Sequence, residues 1–297
     1  MRATSDRLSL QAAIPSLLAA APTLGIAACF GLAATLARLA FASGVNVISL
    51  TTARTAFALV AIAVLLRWRP APVPLARAER HRAWALGLVL CVQVYCLYKA
   101  VELMPVAIAI TVYYAFPVLV ILANAALDRR PLPGAVLGPA LLAAVGILLA
   151  LGAREGAWPM LGVAYALVAA AGFATLLIAS TRLFRPADTR PRTLAMLAAA
   201  TPIFVAVSVA SGEFSLPDGT RGWLALAGVL AFYALGFIGV FWSANRIGPA
   251  RTATLLNFEP VAAVAFGAAI LGEHMTPGQL AGVGIVIAAL FLAARAR

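Results

Sequence analysis

Apolar stretches long enough to cross a bilayer follow one another along almost the whole chain. We count ten, at residues 15–42, 46–66, 83–101, 105–127, 134–151, 158–180, 193–210, 222–244, 249–271 and 277–294. A helix needs about 20 apolar residues to cross the hydrocarbon core. Because lipid offers no water to unpaired backbone groups, and no barrel-like alternation is present, we expect every stretch to be helical. The sequence therefore predicts an all-α polytopic membrane protein with ten transmembrane helices.

Composition leaves no room for a soluble domain. Of the 297 residues, 64% are hydrophobic and 11% are charged, and the mean hydropathy is +1.00. Soluble domains are about 45–50% apolar and about 25% charged. The net charge of +12 comes from short basic clusters between the spans. We interpret those clusters as topology signals, so no nucleic-acid partner is predicted.

The basic residues also predict the orientation. With the N-terminus in the cytoplasm, the inner segments hold 16 of the 22 Lys and Arg residues, the outer segments hold 3 and the spans hold 3. Because cytoplasmic loops are enriched in Lys and Arg, both termini are predicted to be cytoplasmic. The chain should then cross a bacterial-type inner membrane, with the lipid bilayer as its immediate partner.

The second half of the chain repeats the first. The run from Ala21 to Ala27 matches the run from Trp158 to Ala164, and Pro105 matches Pro249. We predict two five-helix repeats, residues 15–151 and 158–294. Since five is an odd number, the second repeat must enter the membrane inverted. Inverted repeats are typical of secondary transporters, whose substrate site lies near the midplane between the halves.

Three features together resemble a known family. They are Arg54 in the second span, the spans that contain Pro117 and Pro260, and a terminal pattern of Glu-Pro, Leu-Gly-Glu and Gln-x-x-Gly between Glu259 and Gly282. With the five-plus-five repeat, the chain resembles the EamA branch of the drug/metabolite transporter (DMT) superfamily over essentially its whole length. The resemblance implies transport by alternating access through a central cavity, lined mainly by spans 1, 3, 4, 6, 8 and 9. It does not identify the substrate.

Glu259 is the most unusual residue of the ninth span. It lies roughly 15 Å deep in the membrane at about 1.5 Å per residue, where a carboxylate is costly unless it has a role or a partner. One hypothesis is a protonatable group that binds a substrate amine or carries a coupling proton. The other is a structural role, either an ion pair with an arginine such as Arg54 or Arg251 or a hydrogen bond to the backbone near the kink. The repeat aligns Ala115 with Glu259, so any coupling chemistry should differ between the halves.

Two prolines are expected to interrupt their helices. Pro117 and Pro260 each lie in the middle of an apolar span, where a proline removes a backbone hydrogen bond and bends the helix. They are predicted to act as hinges, with a static kink as the alternative.

Other polar and aromatic side chains within the spans are candidates for substrate contact. Tyr113 and Tyr114 lie too deep for an interfacial belt, whereas Tyr98 and Trp242 fit either a belt or a cavity wall. Lys99 can simply pair with Glu102, three residues further on. The predicted substrate-binding set is Tyr113, Tyr114, Asn257, Glu259, Gln93, Tyr95, Lys99, Arg251, Arg54 and Trp242.

The remaining function classes find little support. The chain lacks His-Glu-x-x-His, Gly-x-Ser-x-Gly and Walker A motifs, and its 3 cysteines are scattered through the spans. We therefore predict no enzyme, no cofactor and no metal. The predicted function is a secondary transporter that exports a small metabolite, such as an amino acid or a related amphiphilic compound, with proton coupling as an option. A facilitative channel-like pore and a drug efflux carrier are the alternatives, and both a monomer and a homodimer stay open.

Overall fold

The computed structural model describes residues 2–129, parts of 138–149, residues 159–185 and 188–247, and residues 255–256 and 258–295. Within those ranges the regular structure is helical. The helices are α1 (Arg2–Ala42), α2 (Val47–Trp68), α3 (Arg77–Leu103), α4 (Val106–Tyr113), α5 (Phe116–Leu127), α6 (Met160–Arg182), α7 (Arg190–Ser211), α8 (Gly219–Ile247), α9 (Glu259–Leu271) and α10 (Pro277–Arg295).

Seven apolar segments in the described part of the chain are long enough to cross a membrane. They are Ala21–Ala42, Val47–Trp68, Arg77–Leu103, Val106–Leu127, Met160–Ser180, Arg190–Ser211 and Gly219–Val240. Two shorter apolar helices, Glu259–Leu271 and Pro277–Ala289, follow. An all-helical, polytopic membrane protein is thereby confirmed. The count of ten spans stays a prediction, because most of span 134–151 lies outside the described residues.

Helix α3 begins earlier than the apolar pattern predicted. The apolar stretch starts at residue 83, but the helix starts at Arg77. Its first turn is charged and exposed, and the carboxylate of Glu79 accepts a hydrogen bond from the backbone N–H of Ala76. A side chain that caps the free N–H groups at a helix start stabilises that end. The extra turn therefore extends the helix beyond its apolar stretch.

The fourth predicted span is broken rather than merely kinked. Helix α4 ends at Tyr113, a turn occupies Tyr114 and Ala115, and α5 starts at Phe116 with Pro117 as its second residue. A proline at that position costs little, because the first N–H groups of a helix have no intrahelical acceptor. The predicted interruption at Pro117 is confirmed, and movement there stays a prediction.

The start of α9 has the same design. Phe258 precedes the helix, Glu259 is its first residue and Pro260 its second. Because both helices carry proline second, the helix starts align Glu259 with Phe116. The sequence repeat places Ala115 there instead, a difference of one residue.

Helix packing follows a paired pattern. Helix α1 packs on α8 and α3 packs on α6, while α2 packs on α7. In addition, α1 contacts α9, whereas α4 and α5 contact α6. In chain order, α1, α2 and α3 of the first half correspond to α6, α7 and α8 of the second. The contact between α1 and α8 therefore corresponds to the contact between α6 and α3, and the contact between α2 and α7 joins two corresponding helices.

Buried apolar side chains form two clusters. The first joins α1, α2, α3, α6, α7 and α8 around residues such as Leu50 and Val229. The second joins α1, α3, α4, α6, α9 and α10 around Ile108 and Ala263. Between them, α1 and α9 approach closely: a Cβ added to Gly31 would lie 2.9 Å from the backbone nitrogen of Ala263. This contact holds the start of α9 beside the boundary of the two clusters.

Candidate functional site

A small cavity lies between the two apolar clusters. Its charged lining side chains are Arg54 of α2 and Glu259 of α9, and its aromatic ones are Phe30, Tyr98 and Tyr233. The cavity volume is about 40 Å³. That volume holds a few water molecules, whereas sites for drug-sized ligands occupy about 300–1,000 Å³. The structure is therefore closed around this site.

Arg54 is the most buried charged residue of the cavity. Its side chain is only 7% exposed, and the guanidinium carbon lies 3.6 Å from the ring centroid of Tyr233 and 4.8 Å from that of Tyr98. Aromatic faces attract a guanidinium, and the attraction is stronger when both are shielded from water. However, Nε and Nη1 have no hydrogen-bond partner among the described residues. Buried donors left unpaired are costly, so this guanidinium is prepared to receive an anionic acceptor.

Glu259 supplies the negative charge among the described residues that line the cavity. Its Oε2 lies 3.0 Å from the hydroxyl of Tyr114, which is also 3.0 Å from the backbone oxygen of Leu256. As the first residue of α9, the carboxylate also lies at the positive end of the helix dipole. No ion pair joins it to Arg54 in the described structure. The hypothesis of a structural Arg54–Glu259 pair is therefore wrong for this conformation, although both charges line one cavity.

Gln93 and Tyr113 lie next to this site. Gln93 Nε2 donates to the hydroxyl of Tyr113 over 3.5 Å. The ring of Tyr113 packs against Phe116 and Phe173, with centroid distances of 5.4 and 5.7 Å. Tyr113 and Tyr114 are both buried, so neither belongs to an interfacial belt. The hydroxyl of each tyrosine has a hydrogen-bond partner within the helix bundle.

Other predicted site residues lie away from the cavity lining. Tyr95 packs edge-on against Tyr165. Lys99 pairs with Glu102 at 2.5 Å, as the alternative interpretation proposed. Trp242 is 44% exposed and lies beside the guanidinium of Arg246. Asn257 and Arg251, the two remaining members of the predicted set, lie outside the described residues.

Two tyrosines were not included in the predicted site. Tyr98 had a belt interpretation open to it, but it is 4% exposed and its ring faces Arg54, so that interpretation is wrong. Tyr233 received no role at all. Its position as the fifteenth residue of α8 is deep in an apolar helix. A phenol so far from both interfaces needs a partner, and that was the signal available in the sequence.

The turn between α3 and α4 is fixed by two charged side chains. The guanidinium of Arg38 donates to the backbone oxygens of Val101, at 2.8 Å, and of Glu102. On the other side of the turn, Glu273 Oε1 accepts from the backbone nitrogen of Val106 at 2.9 Å. A cation thus meets the negative end of α3 and an anion meets the positive end of α4. Both contacts stabilise this end of the bundle.

Comparisons with known proteins point to carriers. Residues 160–295 match the EamA-like transporter family. The chain is also similar to the threonine/homoserine exporter RhtA of Escherichia coli, in strain K12 and in O157:H7, with 29% identity over 238 residues that cover 78% of this chain and 76% of each relative. A crystal structure of a protein with 21% identity superposes with a TM-score of 0.63, over 92% of this chain and 96% of that one. At that identity the likeness concerns the fold alone.

Proposed function

We propose that this chain is an EamA-family carrier of the DMT superfamily that exports a small zwitterionic metabolite of the amino-acid type by alternating access. The observation that carries the proposal is a guanidinium and a carboxylate that line the same small cavity without forming an ion pair, the guanidinium having two donors with no partner among the described residues. An amino acid offers one group to each: its carboxylate to Arg54 and its ammonium to Glu259. The similarity to a threonine/homoserine exporter supports the same substrate class.

Arg54 suits the carboxylate of the substrate. A guanidinium binds carboxylates through charge-assisted hydrogen bonds, which are stronger than neutral ones. The rings of Tyr98 and Tyr233 fix its orientation before the substrate arrives. Because two donors of the guanidinium have no partner among the residues that the structure describes, a carboxylate bound there would supply the hydrogen bonds that they lack.

Glu259 suits the ammonium group and also offers a route to proton coupling. One carboxylate cannot hold a proton and pair with an ammonium group at full strength at the same time. A proton that binds on one side of the membrane therefore favours release of the substrate there. This competition would exchange protons for substrate, which is how an exporter can draw on a proton gradient.

Alternating access is supported by the paired packing and by the two broken helices. Helices α1 and α8, and their counterparts α6 and α3, pack in the same way, as two inverted five-helix repeats at 15–151 and 158–294 would. In carriers of that architecture the substrate binds beside discontinuous helices near the midplane. The closed cavity must enlarge to admit an amino acid, and the breaks at Pro117 and Pro260 are the proposed hinges. The arginine bias favours cytoplasmic termini in an inner membrane.

Counterflow in proteoliposomes tests this proposal. Liposomes loaded with unlabelled homoserine or threonine should take up the labelled compound faster than empty ones, whereas a channel-like pore gives no such trans-stimulation. The Arg54→Gln variant should raise the half-saturating concentration for homoserine roughly 10- to 100-fold, the range expected for a lost hydrogen bond to a charged group.

A substrate that lacks the carboxylate provides the control. 3-Aminopropanol keeps the ammonium and hydroxyl groups, so its weak transport should be the same in wild type and in Arg54→Gln. An equal loss for both compounds would assign Arg54 a structural role. Transport of bulky apolar cations in place of homoserine would favour the drug efflux alternative.

A further inference from the structure

Tyr114 connects the two proline-containing helix breaks in the described part of the chain, one before α5 and one before α9. It lies in the turn between α4 and α5, and it is 2% exposed. Its hydroxyl reaches across to the other break, where two oxygens lie at 3.0 Å: the backbone oxygen of Leu256 and Oε2 of Glu259. One side chain of the first break therefore contacts both the backbone and the carboxylate of the second.

The Leu256 oxygen needs this hydroxyl because of Pro260. In a continuous helix the backbone oxygen of residue 256 would accept from the backbone nitrogen of residue 260. Residue 260 is a proline, which has no N–H to donate. Leu256 is itself helical, so its backbone oxygen is the one that Pro260 leaves without the usual N–H donor. Tyr114 supplies the missing donor from the turn between α4 and α5.

A hydroxyl carries one hydrogen, so it cannot donate to both oxygens at once. When Glu259 is ionised, the carboxylate is the stronger acceptor, and the hydrogen of Tyr114 points to it. The Leu256 oxygen then loses the donor that Tyr114 supplied. When Glu259 is protonated, its own O–H donates to the Tyr114 oxygen, and the Tyr114 hydrogen turns to Leu256. The phenol never loses its proton, because it only rotates.

We infer that Tyr114 is a positioning residue that links the protonation of Glu259 to the break in α9. With Glu259 protonated, Tyr114 donates to Leu256, and this hydrogen bond joins the segment before α9 to the turn between α4 and α5. With Glu259 ionised, that hydrogen bond is lost and the break before α9 can open. The inference rests on the proposed carrier function, and it adds the step by which a proton changes the shape of the protein.

The groups around Glu259 are compatible with this role. Arg54 faces the same cavity from α2, Tyr98 from α3 and Tyr233 from α8, while Tyr113 adjoins Tyr114. Arginine stays charged, and tyrosine ordinarily titrates near pH 10. A carboxyl ordinarily titrates at a lower pH than either, so Glu259 is the described group at this site that gains or loses a proton most readily.

The first test separates coupling from binding. Two rates are measured in proteoliposomes: homoserine counterflow at equal pH, and homoserine transport driven by a pH gradient. We expect Tyr114→Phe to lower the ratio of driven transport to counterflow roughly tenfold, the lower range for a lost hydrogen bond to a charged group. Tyr165→Phe, which removes a hydroxyl away from the cavity, should leave the ratio unchanged. If Tyr114→Phe leaves it unchanged too, or lowers both rates equally, the inference is wrong.

A double-mutant cycle tests the role of the Leu256 oxygen. Pro260→Ala restores a backbone N–H for that oxygen, so adding Tyr114→Phe should then cost less than twofold in the same ratio. Additive effects would overturn the inference. The control is Pro202→Ala, since Pro202 lies inside α7 without interrupting it.

Infrared spectroscopy provides a readout that does not need transport. The carboxyl stretch of protonated Glu259 is identified as the band that disappears in Glu259→Gln. We expect this band to shift in Tyr114→Phe, because its hydrogen-bond acceptor is lost, and to stay in place in Tyr165→Phe. An unshifted band in Tyr114→Phe would contradict the inference. If homoserine is not carried at all, the proposed substrate fails, while the infrared result still decides the role of Tyr114.

Discussion

The two helix breaks share a backbone design but differ in chemistry. Both α5 and α9 carry proline as their second residue. The first residue is Phe116 in one and Glu259 in the other. Phe116 packs edge-on against Phe173, with ring centroids 4.8 Å apart, whereas Glu259 accepts from Tyr114 and faces a cavity. The comparison teaches that the break is built by the proline, while the residue before it is free to be structural or functional.

The largest effect should come from the break before α9, which carries Glu259. We expect Glu259→Gln to lower transport driven by a pH gradient by about 100-fold, because the amide can neither carry a proton nor pair with an ammonium group. A loss of about 100-fold corresponds to the upper end of the free energy that a hydrogen bond to a charged group contributes. Uptake into proteoliposomes with and without a pH gradient measures it.

The matched control is Glu102→Gln, the same substitution in a half-exposed ion pair with Lys99. Such pairs contribute about 0–1 kcal/mol, so transport should change less than about fivefold. Equal pH dependence in wild type and Glu259→Gln would remove Glu259 from the coupling mechanism. The two breaks would then differ in packing only.

A smaller effect, on stability rather than on transport, should come from the break before α5, which carries Phe116. Phe116→Leu removes ring contacts with Tyr113 and Phe173, so we expect a loss of about 1–2 kcal/mol in the free energy of unfolding. The thermal unfolding midpoint in detergent should fall, while the ratio of driven transport to counterflow should not. A changed ratio with an unchanged midpoint would reverse the roles that we assign to the two breaks.

The smallest effect should come from a residue that belongs to neither break. Trp242 is 44% exposed and lies beside Arg246. We expect Trp242→Phe to change the half-saturating homoserine concentration less than about twofold, since most surface substitutions cost under about 0.5 kcal/mol. A tenfold rise would show that the substrate path extends beyond the described cavity, to the residues that follow α8.

Features that depend on local sequence could be predicted, and features that depend on helix crossing could not. Apolar stretches gave the helices, and Pro117 and Pro260 gave the interruptions, because a missing N–H acts within one turn. Glu259 was found since a carboxylate stands out in an apolar span. The pairing of Arg54 with Tyr98 and Tyr233 joins three helices, so no spacing along the chain encodes it. The contact of Tyr114 with Leu256, 142 residues apart, could not be predicted for the same reason.

The turn between α3 and α4 has a consequence for leakage. The arginine bias assigns this turn to the outside, and Arg38 and Glu273 hold its two helix ends. Each contact between a charge and a helix end is worth about 0.3–1 kcal/mol. In the proposed carrier, an opening on that side that separates these helix ends would lose both contacts, so the empty carrier would rest closed there. Solutes outside would then have no path inward until substrate binding from within offsets the lost contacts.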